Sequence, residues 1–263
     1  MKVKNCLIFG GSGQIGRYLI RKLTKNNYRV TVVTRNIHQK SYVIKTQANA
    51  GYLDIVESNI FDEQKIRKLL MNTDICINLI GILYEKRNGN NFKNIHSIFP
   101  SLIAKLCKEY NVKQFIHLSA LGINNAIDSD YAKSKLEGER VIIDSNISYS
   151  ILRTILVYGI HEKANIVTFV KNSLEENKTV NLVSDQVRMP TFADDLSRAC
   201  IEASEKKAEG IFHVCGSDLM SYLDIGNRIA EYFSLDKNLI NHVKTTDLNQ
   251  KAKRPFKTGF DLD

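Results

Sequence analysis

The run CLIFGGSGQIGRYLIRKL, beginning at residue 6, constrains what this chain can fold into more than any other stretch. A short apolar strand carrying Val3, Cys6, Leu7, Ile8 and Phe9 runs into a turn that holds Gly10, Gly13 and Gly16. An amphipathic helix follows, with Ile15, Leu19, Ile20 and Leu23 on one face. Strand, glycine turn and helix in that order open a dinucleotide-binding unit. Gly10 permits the tight turn, Gly13 lets backbone N–H groups approach a pyrophosphate, and Gly16 lets helix and strand pack closely. Gln14 and Ile15 begin the helix, whose N-terminus supplies partial positive charge to the same phosphates.

At 263 residues the chain suits one large α/β domain, or one such domain with a small appended lobe. Cys6, Cys76, Cys107, Cys200 and Cys215 are widely spaced and form no CxxC pair, so they read as thiols in a reducing compartment, with no metal site. The N-terminal apolar run is spent on the glycine turn, no cleavage site follows, and no stretch approaches a membrane span. The expected location is the cytoplasm. The formal charge is +9, but the lysines are scattered and no basic block interleaves with aromatics. That pattern argues against nucleic acid as a partner and suits a mildly positive cleft for phosphorylated ligands.

Strands are expected at 3–9, 28–34, 51–56, 74–80, 114–118 and 148–157. Helices are expected at 15–25, 62–71 and 98–110, and from 130 through 141. Near-continuous apolar strands alternating with helices imply an α/β fold, a Rossmann-type doubly wound parallel sheet covered on both faces, over residues 1–158. Past Tyr158 the rhythm loosens: helices at 165–176, 193–206 and 222–233, strands at 179–184 and 210–216. Residues 159–263 therefore read as a small C-terminal substrate lobe, interleaved with the last strands.

Tyr131 and Lys135 form a YxxxK pair near the start of the long helix after the fifth strand. Four residues is about one helical turn, so both side chains leave the same face. An ammonium beside a phenol favours the phenolate, and such a tyrosine exchanges a proton with a carbinol or carbonyl oxygen. Ser119, at the end of the fifth strand, is placed to hydrogen-bond that oxygen.

These residues carry a resemblance. The strand-borne GGSGQIG, the LSALG at the fifth strand and YAKSKLEGE resemble the short-chain dehydrogenase/reductase superfamily, of extended or atypical type. Residues 1–140, with FGGSGQIGRYLIRKL, NLIGILYE, FKNIH and HLSALG, resemble the nucleotide-binding accessory subunit of respiratory complex I and its bacterial relatives. Residues 131–263, with YAKSKLEGE, ILRTILVYGI, NIVTFVKNSLE, SDQVRMPTFADDLSRAC, GIFHVCG and RPFKTGFDL, are similar to sugar-nucleotide reductases of the dTDP-4-dehydrorhamnose reductase type. Extended members often carry an asparagine on the helix after the fourth strand, supporting a water that serves the lysine. The matching position here is His96.

Ligands in open α/β sheets sit at the carboxyl ends of the strands. Arg35 follows the second strand where an acid would accept from a ribose 2′-hydroxyl, and a guanidinium suits a 2′-phosphate; the expected cofactor is NADP(H) ahead of NAD(H). Asn59 and Ile60 fall where the superfamily has an Asp and an apolar residue flanking the adenine. Leu79, Ile80 and Gly81 would pass under the nicotinamide ribose. Gln186 and Arg188 match the pocket wall of the sugar-nucleotide enzymes, with a solvated loop arginine as the alternative. The reading is an NADP(H)-dependent oxidoreductase acting on a keto or hydroxyl group of a nucleotide-linked sugar, in which the helices of the superfamily often pair two copies. The rivals are a non-catalytic dinucleotide-binding accessory protein that docks on respiratory complex I subunits, and a sugar-nucleotide epimerase or dehydratase.

Overall fold

The structure, a computed structural model, describes residues 3–86, 90–126, 128–248 and 255–260. Of the RPFKTGFDL run, residues 254, 261 and 262 lie outside the described residues. The chain runs β1 (Lys4–Phe9), α1 (Gln14–Lys25), β2 (Tyr28–Thr34), α2 (Ile37–Lys45), β3 (Leu53–Glu57), α3 (Glu63–Leu70) and β4 (Ile75–Asn78). A π-helical stretch (Lys93–Ile98) leads into α4 (Phe99–Glu109), then β5 (Gln114–Ala120), α5 (Asp130–Ile143) and β6 (Tyr149–Thr154). There follow β7 (Val157–Tyr158), α6 (Ile166–Glu175), β8 (Val180–Val183), β9 (Val187–Arg188), β10 (Thr191–Phe192) and α7 (Ala193–Glu205). The last elements are β11 (Gly210–His213), β12 (Met220–Ser221), α8 (Tyr222–Tyr232), β13 (Ile240–Val243) and β14 (Lys257–Thr258).

Two compact units result. The first comprises 1–153 and 194–213, the second 154–193 and 214–263. The sequence suggested a boundary after Tyr158, with a lobe at 159–263 interleaved with the last strands. In the structure α7 and β11 belong with the first unit, because β11 adds to β6 in parallel (Ile211 opposite Ile151) and α7 is tied to α1. The ties are Ser197 Oγ donating to the Ile15 carbonyl at 3.2 Å and a Lys22–Asp194 ion pair at 2.8 Å.

The first unit is a seven-stranded parallel sheet in the order β3-β2-β1-β4-β5-β6-β11. The reversal of strand order between β1 and β4 is where a doubly wound sheet opens a crevice at its carboxyl edge. The β-branched run YRVTVVT makes β2, and β1 pairs it with Leu7 opposite Thr31 and Phe9 opposite Val33. Leu7, Phe9, Ile66, Phe99, Ile103 and Phe115 are fully buried in one core, where Phe9 and Phe99 meet edge to face at 5.1 Å. Burial of such side chains contributes roughly 1.5–3 kcal/mol each. Cys6, Cys76, Cys107 and Cys200 are buried free thiols.

Three differences from the sequence expectation have local causes. Strand β4 stops at Asn78, whose side chain takes the Ile80 amide and turns the chain out of the sheet. The stretch expected as one strand at 148–157 is broken into β6 and β7 by Leu156, which sits at φ +42°. Helix α2 was not expected; Asn36 starts it by accepting the Gln39 amide at 3.0 Å.

The second unit holds α6 and α8 over the parallel pair β8–β13, with Val170, Leu174, Leu182 and Ile229 as its core. Among the described residues no helix is long and apolar enough to cross a membrane.

Candidate cofactor and proton-transfer site

The glycine turn is shaped as its spacing implies. Gly10 sits at φ +85°, and a Cβ there would lie 3.1 Å from the Leu79 carbonyl carbon and 3.2 Å from the Ile80 nitrogen. A Cβ on Gly16 would meet Gly11 Cα at 2.5 Å, so α1 can approach β1 only because neither residue has a side chain. Gly13 caps α1 in an extended conformation and, having no side chain, makes no side-chain cap bond. With Gln14 and Ile15 opening the helix, its N-terminal amides face the end of β1, an arrangement that fits a pyrophosphate.

Around this cradle the other expected contacts fall at strand ends. Arg35 follows β2, is exposed, and donates Nη1 to Asn90 Oδ1 at 3.1 Å. Asn59, after β3, uses its Oδ1 to accept the Phe61 amide, while Ile60 is buried in the core. Leu79, Ile80 and Gly81 leave the end of β4, tied by the Leu79 amide to the Phe9 carbonyl.

Helix α5 presents the Tyr131 and Lys135 pair expected from the YxxxK spacing. Ser129 caps it by accepting the Ala132 amide, and one turn separates Tyr131 from Lys135. Lys135 is buried; its Nζ donates to the Leu118 carbonyl at 3.1 Å, and a Cβ on Gly81 would lie 3.3 Å from that nitrogen. Burial lowers its pKa to about 8, against an opposing pull from Glu139. Burial raises the Tyr131 phenol above its ordinary value. The expectation that the ammonium lowers that pKa is thus corrected. Desolvation dominates, and the lysine's charge is itself disfavoured and aimed at a main-chain carbonyl. Ser119, next to Leu118 on β5, has a buried hydroxyl with no hydrogen-bond partner among the described residues.

Two histidines pack beside this pair, and the bonds fix their tautomers. The Ile82 amide donates to His96 Nε2 at 3.0 Å, so the proton sits on Nδ1 and is given to Ser134 Oγ at 2.9 Å. On β5, His117 faces Asn78 of β4. Asn78 Oδ1 accepts from Ile80, so its amide Nδ2 donates to His117 Nδ1 at 3.1 Å and the proton sits on Nε2, a buried donor without a partner among the described residues. Burial and then the Lys135 charge hold His96 down to about 3. Burial, Lys135 and His96 hold His117 well below its ordinary range. Both imidazoles are neutral at physiological pH.

Sequence reasoning placed Tyr131, Lys135, Ser119 and His96 in this neighbourhood and passed over Asn78, His117, Glu139 and Arg153. The first two are polar residues inside the apolar strands DICINLI and QFIHL, which was a usable signal. Arg153 on β6 grips Glu139 with Nε to Oε1 at 2.9 Å and Nη2 to Oε2 at 2.5 Å.

In the second unit Gln186 and Arg188 come together, but as a buried knot. Arg188 donates to the Val187 carbonyl at 2.7 Å, the Pro255 carbonyl at 2.9 Å and Gln186 Oε1 at 3.2 Å, and lies over the Tyr222 ring. Gln186 Nε2 reaches Thr245 Oγ1 at 3.0 Å. Arg188 is therefore neither a solvated loop residue nor a fork open to a diphosphate; it fastens β9 to the segment before β14. A cavity of about 520 Å³ in this unit is lined elsewhere, by Tyr158, Pro190, Met220, Arg228, Ile229 and Tyr232 among others. Among the described residues no group of three or more His, Cys, Asp or Glu side chains is placed to hold a metal ion.

A doubly wound sheet with a glycine cradle at its switch point and a Tyr-Lys helix beyond β5 defines an extended short-chain dehydrogenase/reductase. The chain belongs to two overlapping families, described as NAD(P)H-binding over residues 10–181 and as RmlD substrate binding domain over residues 128–263. A mitochondrial protein of Mus musculus, NADH dehydrogenase [ubiquinone] 1 alpha subcomplex subunit 9, is 27% identical over 203 residues, 75% of this chain and 52% of that protein. The chain spans about half the length of such respiratory relatives. The probable low-salt glycan biosynthesis reductase Agl14 of Haloferax volcanii is 24% identical over 97% of this chain and 89% of its own. The crystal structure of dTDP-4-dehydrorhamnose reductase from Bacillus anthracis in complex with NADP superposes with a TM-score of 0.79 at 18% identity, covering 97% and 89% of the two chains. At that identity the likeness is one of fold.

Proposed function

We propose that the chain is an NADP(H)-dependent oxidoreductase that interconverts a keto and a hydroxyl group on a nucleotide-linked sugar. The observation that supports it is a buried Ser119 hydroxyl, without a partner among the described residues, next to Leu118, whose carbonyl takes the buried Lys135 Nζ one helical turn from Tyr131. The cradle and the orphaned hydroxyl fit a dinucleotide and a substrate oxygen, and when bound the dinucleotide supplies or accepts the hydride. Tyr131 holds the proton at its phenol oxygen, gives it to the substrate oxygen in reduction and takes it back in oxidation. A phenol kept protonated by burial suits the reductive direction. Lys135 holds the ribose and the site's positive charge, and Ser119 orients the substrate oxygen. Arg35 supports the 2′-phosphate and hence NADP(H) over NAD(H). Gln186 and Arg188 serve the substrate lobe by fixing β9. With this reading go the cytoplasmic location and homodimeric pairing expected from the sequence.

A second reading, a dinucleotide-binding accessory protein without turnover, is favoured by the likeness to respiratory subunits. Epimerase or dehydratase chemistry would use the same residues. Purified protein given NADPH or NADH and a panel of dTDP- and UDP-linked 4-keto sugars is expected to consume NADPH. Tyr131→Phe should lower kcat by about 10²–10⁴-fold with dinucleotide affinity kept. Equal turnover in the variant rejects the oxidoreductase. Tight NADP(H) retention without turnover on any sugar, with co-purifying respiratory subunits, selects the accessory protein.

A further inference from the structure

We infer that His96 is a positioning residue: its neutral imidazole latches the loop leaving β4 to helix α5 and sets the Tyr131 ring against that loop. The inference rests on Tyr131 and Lys135 being the reacting pair. Its geometry is a chain in which the direction of every bond is forced. The Ile82 amide can only donate, so it gives its proton to Nε2. Nδ1–H then donates to Ser134 Oγ, whose own hydrogen goes to the Tyr131 carbonyl at 2.8 Å. The loop that would run beneath the nicotinamide ribose is thereby joined through one ring to the turn of α5 carrying Tyr131.

The ring also fixes Tyr131 by contact. It meets the phenol edge to face at 5.3 Å with planes 89° apart, and its other neighbour Phe92 stacks on it at 5.5 Å. Phe92 in turn meets Tyr131 at 5.8 Å, so three rings hold one another. The main chain of His96 grips the same helix, since its carbonyl oxygen occupies the space a Cβ on Gly138 would take. Gly81 is the point of convergence: a Cβ there would lie 3.3 Å from Lys135 Nζ and 3.7 Å from His96 Nε2. A shift of the imidazole therefore moves the loop against the lysine and the phenol together. The π-helical stretch makes this possible by adding a residue to the turn that carries His96, a feature frequent at functional sites. Both ring nitrogens are committed to bonds, so His96 carries no proton through the site. It takes the asparagine's position without the water-bearing role.

The latch has two arms that two amide substitutions separate. Glutamine keeps an acceptor at the reach of Nε2, and asparagine keeps a donor at the reach of Nδ1. In His96→Gln the Ile82 amide should stay protected in hydrogen exchange and NADPH should bind within about twofold of wild type, while kcat falls about tenfold. In His96→Asn the Ile82 amide should exchange about tenfold faster and the NADPH Kd should rise about tenfold, with a smaller change in kcat. His96→Leu should show both losses; if it does not fold, the amide pair decides alone. Identical behaviour of the Gln and Asn variants, or wild-type exchange at Ile82 in His96→Asn, overturns the inference. Exchange and NADPH binding need no turnover. A protein that binds NADPH and converts no sugar therefore loses the proposed function, while the Ile82 arm and the NMR shifts of the Tyr131 ring still decide the latch.

Discussion

Lys135 owes its charge to a contest between burial and the carboxylate one turn along the helix. Glu139 is 1% exposed and clasped by Arg153, whose guanidinium that bond pushes further up. The other groups around the ammonium are neutral: His96 from the π-helical stretch, His117 from β5 and the Tyr131 phenol. Glu139 is thus the negative group that opposes desolvation of the lysine. Glu139→Gln should drop the Lys135 pKa below about 8, so the alkaline limb of the kcat–pH profile should retreat towards neutrality. It also weakens the clasp on the half-buried Arg153, which keeps its bond to Asn124 Oδ1, and should be readable as a modestly lowered denaturant midpoint. An alkaline limb at the same pH in both proteins would refute the coupling. Tyr131 and Lys135 were legible because a four-residue spacing is a local geometric fact. Glu139 continues that spacing, but its meaning depends on Arg153, fourteen residues on and in strand β6. The surroundings of Arg188 were hidden for the same reason: no pattern within QVRMPTFADD tells that its guanidinium turns inward to carbonyls contributed at Val187 and Pro255.

At the scale of elements, the close pass of the π-helical stretch over α5 sets the site's dimensions, and Gly138 is what allows it. In an exposed helix interior Gly→Ala would gain about 1 kcal/mol from propensity alone. Here the new Cβ would lie 1.9 Å from the His96 carbonyl oxygen and 3.1 Å from its carbon. Both are backbone atoms that cannot rotate away. Overpacking of this kind costs about 1–3 kcal/mol, so the propensity gain is expected to lose. Gly138→Ala should lower the denaturant midpoint and, by pushing α5 outward, speed exchange of the Ile82 amide. A more stable variant would show that the two elements separate freely. Strand β2 was read correctly to the residue because six of its seven positions are β-branched or aromatic and polar residues bound it. The π-helical stretch could not be read, since its extra residue is imposed by what it packs against. Strands β9, β10, β12 and β14, two residues each, are too short for any period to register.

On the scale of the whole molecule, strand order converts the sequence into a site. The alternation of strands and helices was legible, and so was the interleaving of the lobe with the last strands, but the switch point beside β1 and the pairing of β11 with β6 are set by a strand order that no local pattern announces. That same sheet buries His96 and His117 as neutral groups between charged or polar neighbours, and folding must therefore exclude their protons. The unfolded chain takes up protons at both near pH 6.5, whereas the folded chain refuses them until about pH 3 at His96 and lower than its ordinary range at His117. Stability present above pH 6.5 is consequently lost as pH falls below it, because the unfolded state binds more protons. His96 contributes about 2 kcal/mol of loss between pH 7 and pH 5, and His117 adds loss of the same sign, so the urea midpoint should fall clearly over that interval while carboxylates are still ionised. His117→Asn should make the slope shallower. Lys135 works in the opposite pH range with the same sign: the unfolded lysine keeps a proton up to about 10.5 that the folded one releases near 8, so stability should rise between those values. A midpoint flat from pH 7 to pH 5 would mean that both imidazoles accept protons inside the fold. The bond from the Ile82 amide to His96 Nε2 could not then survive in the form described.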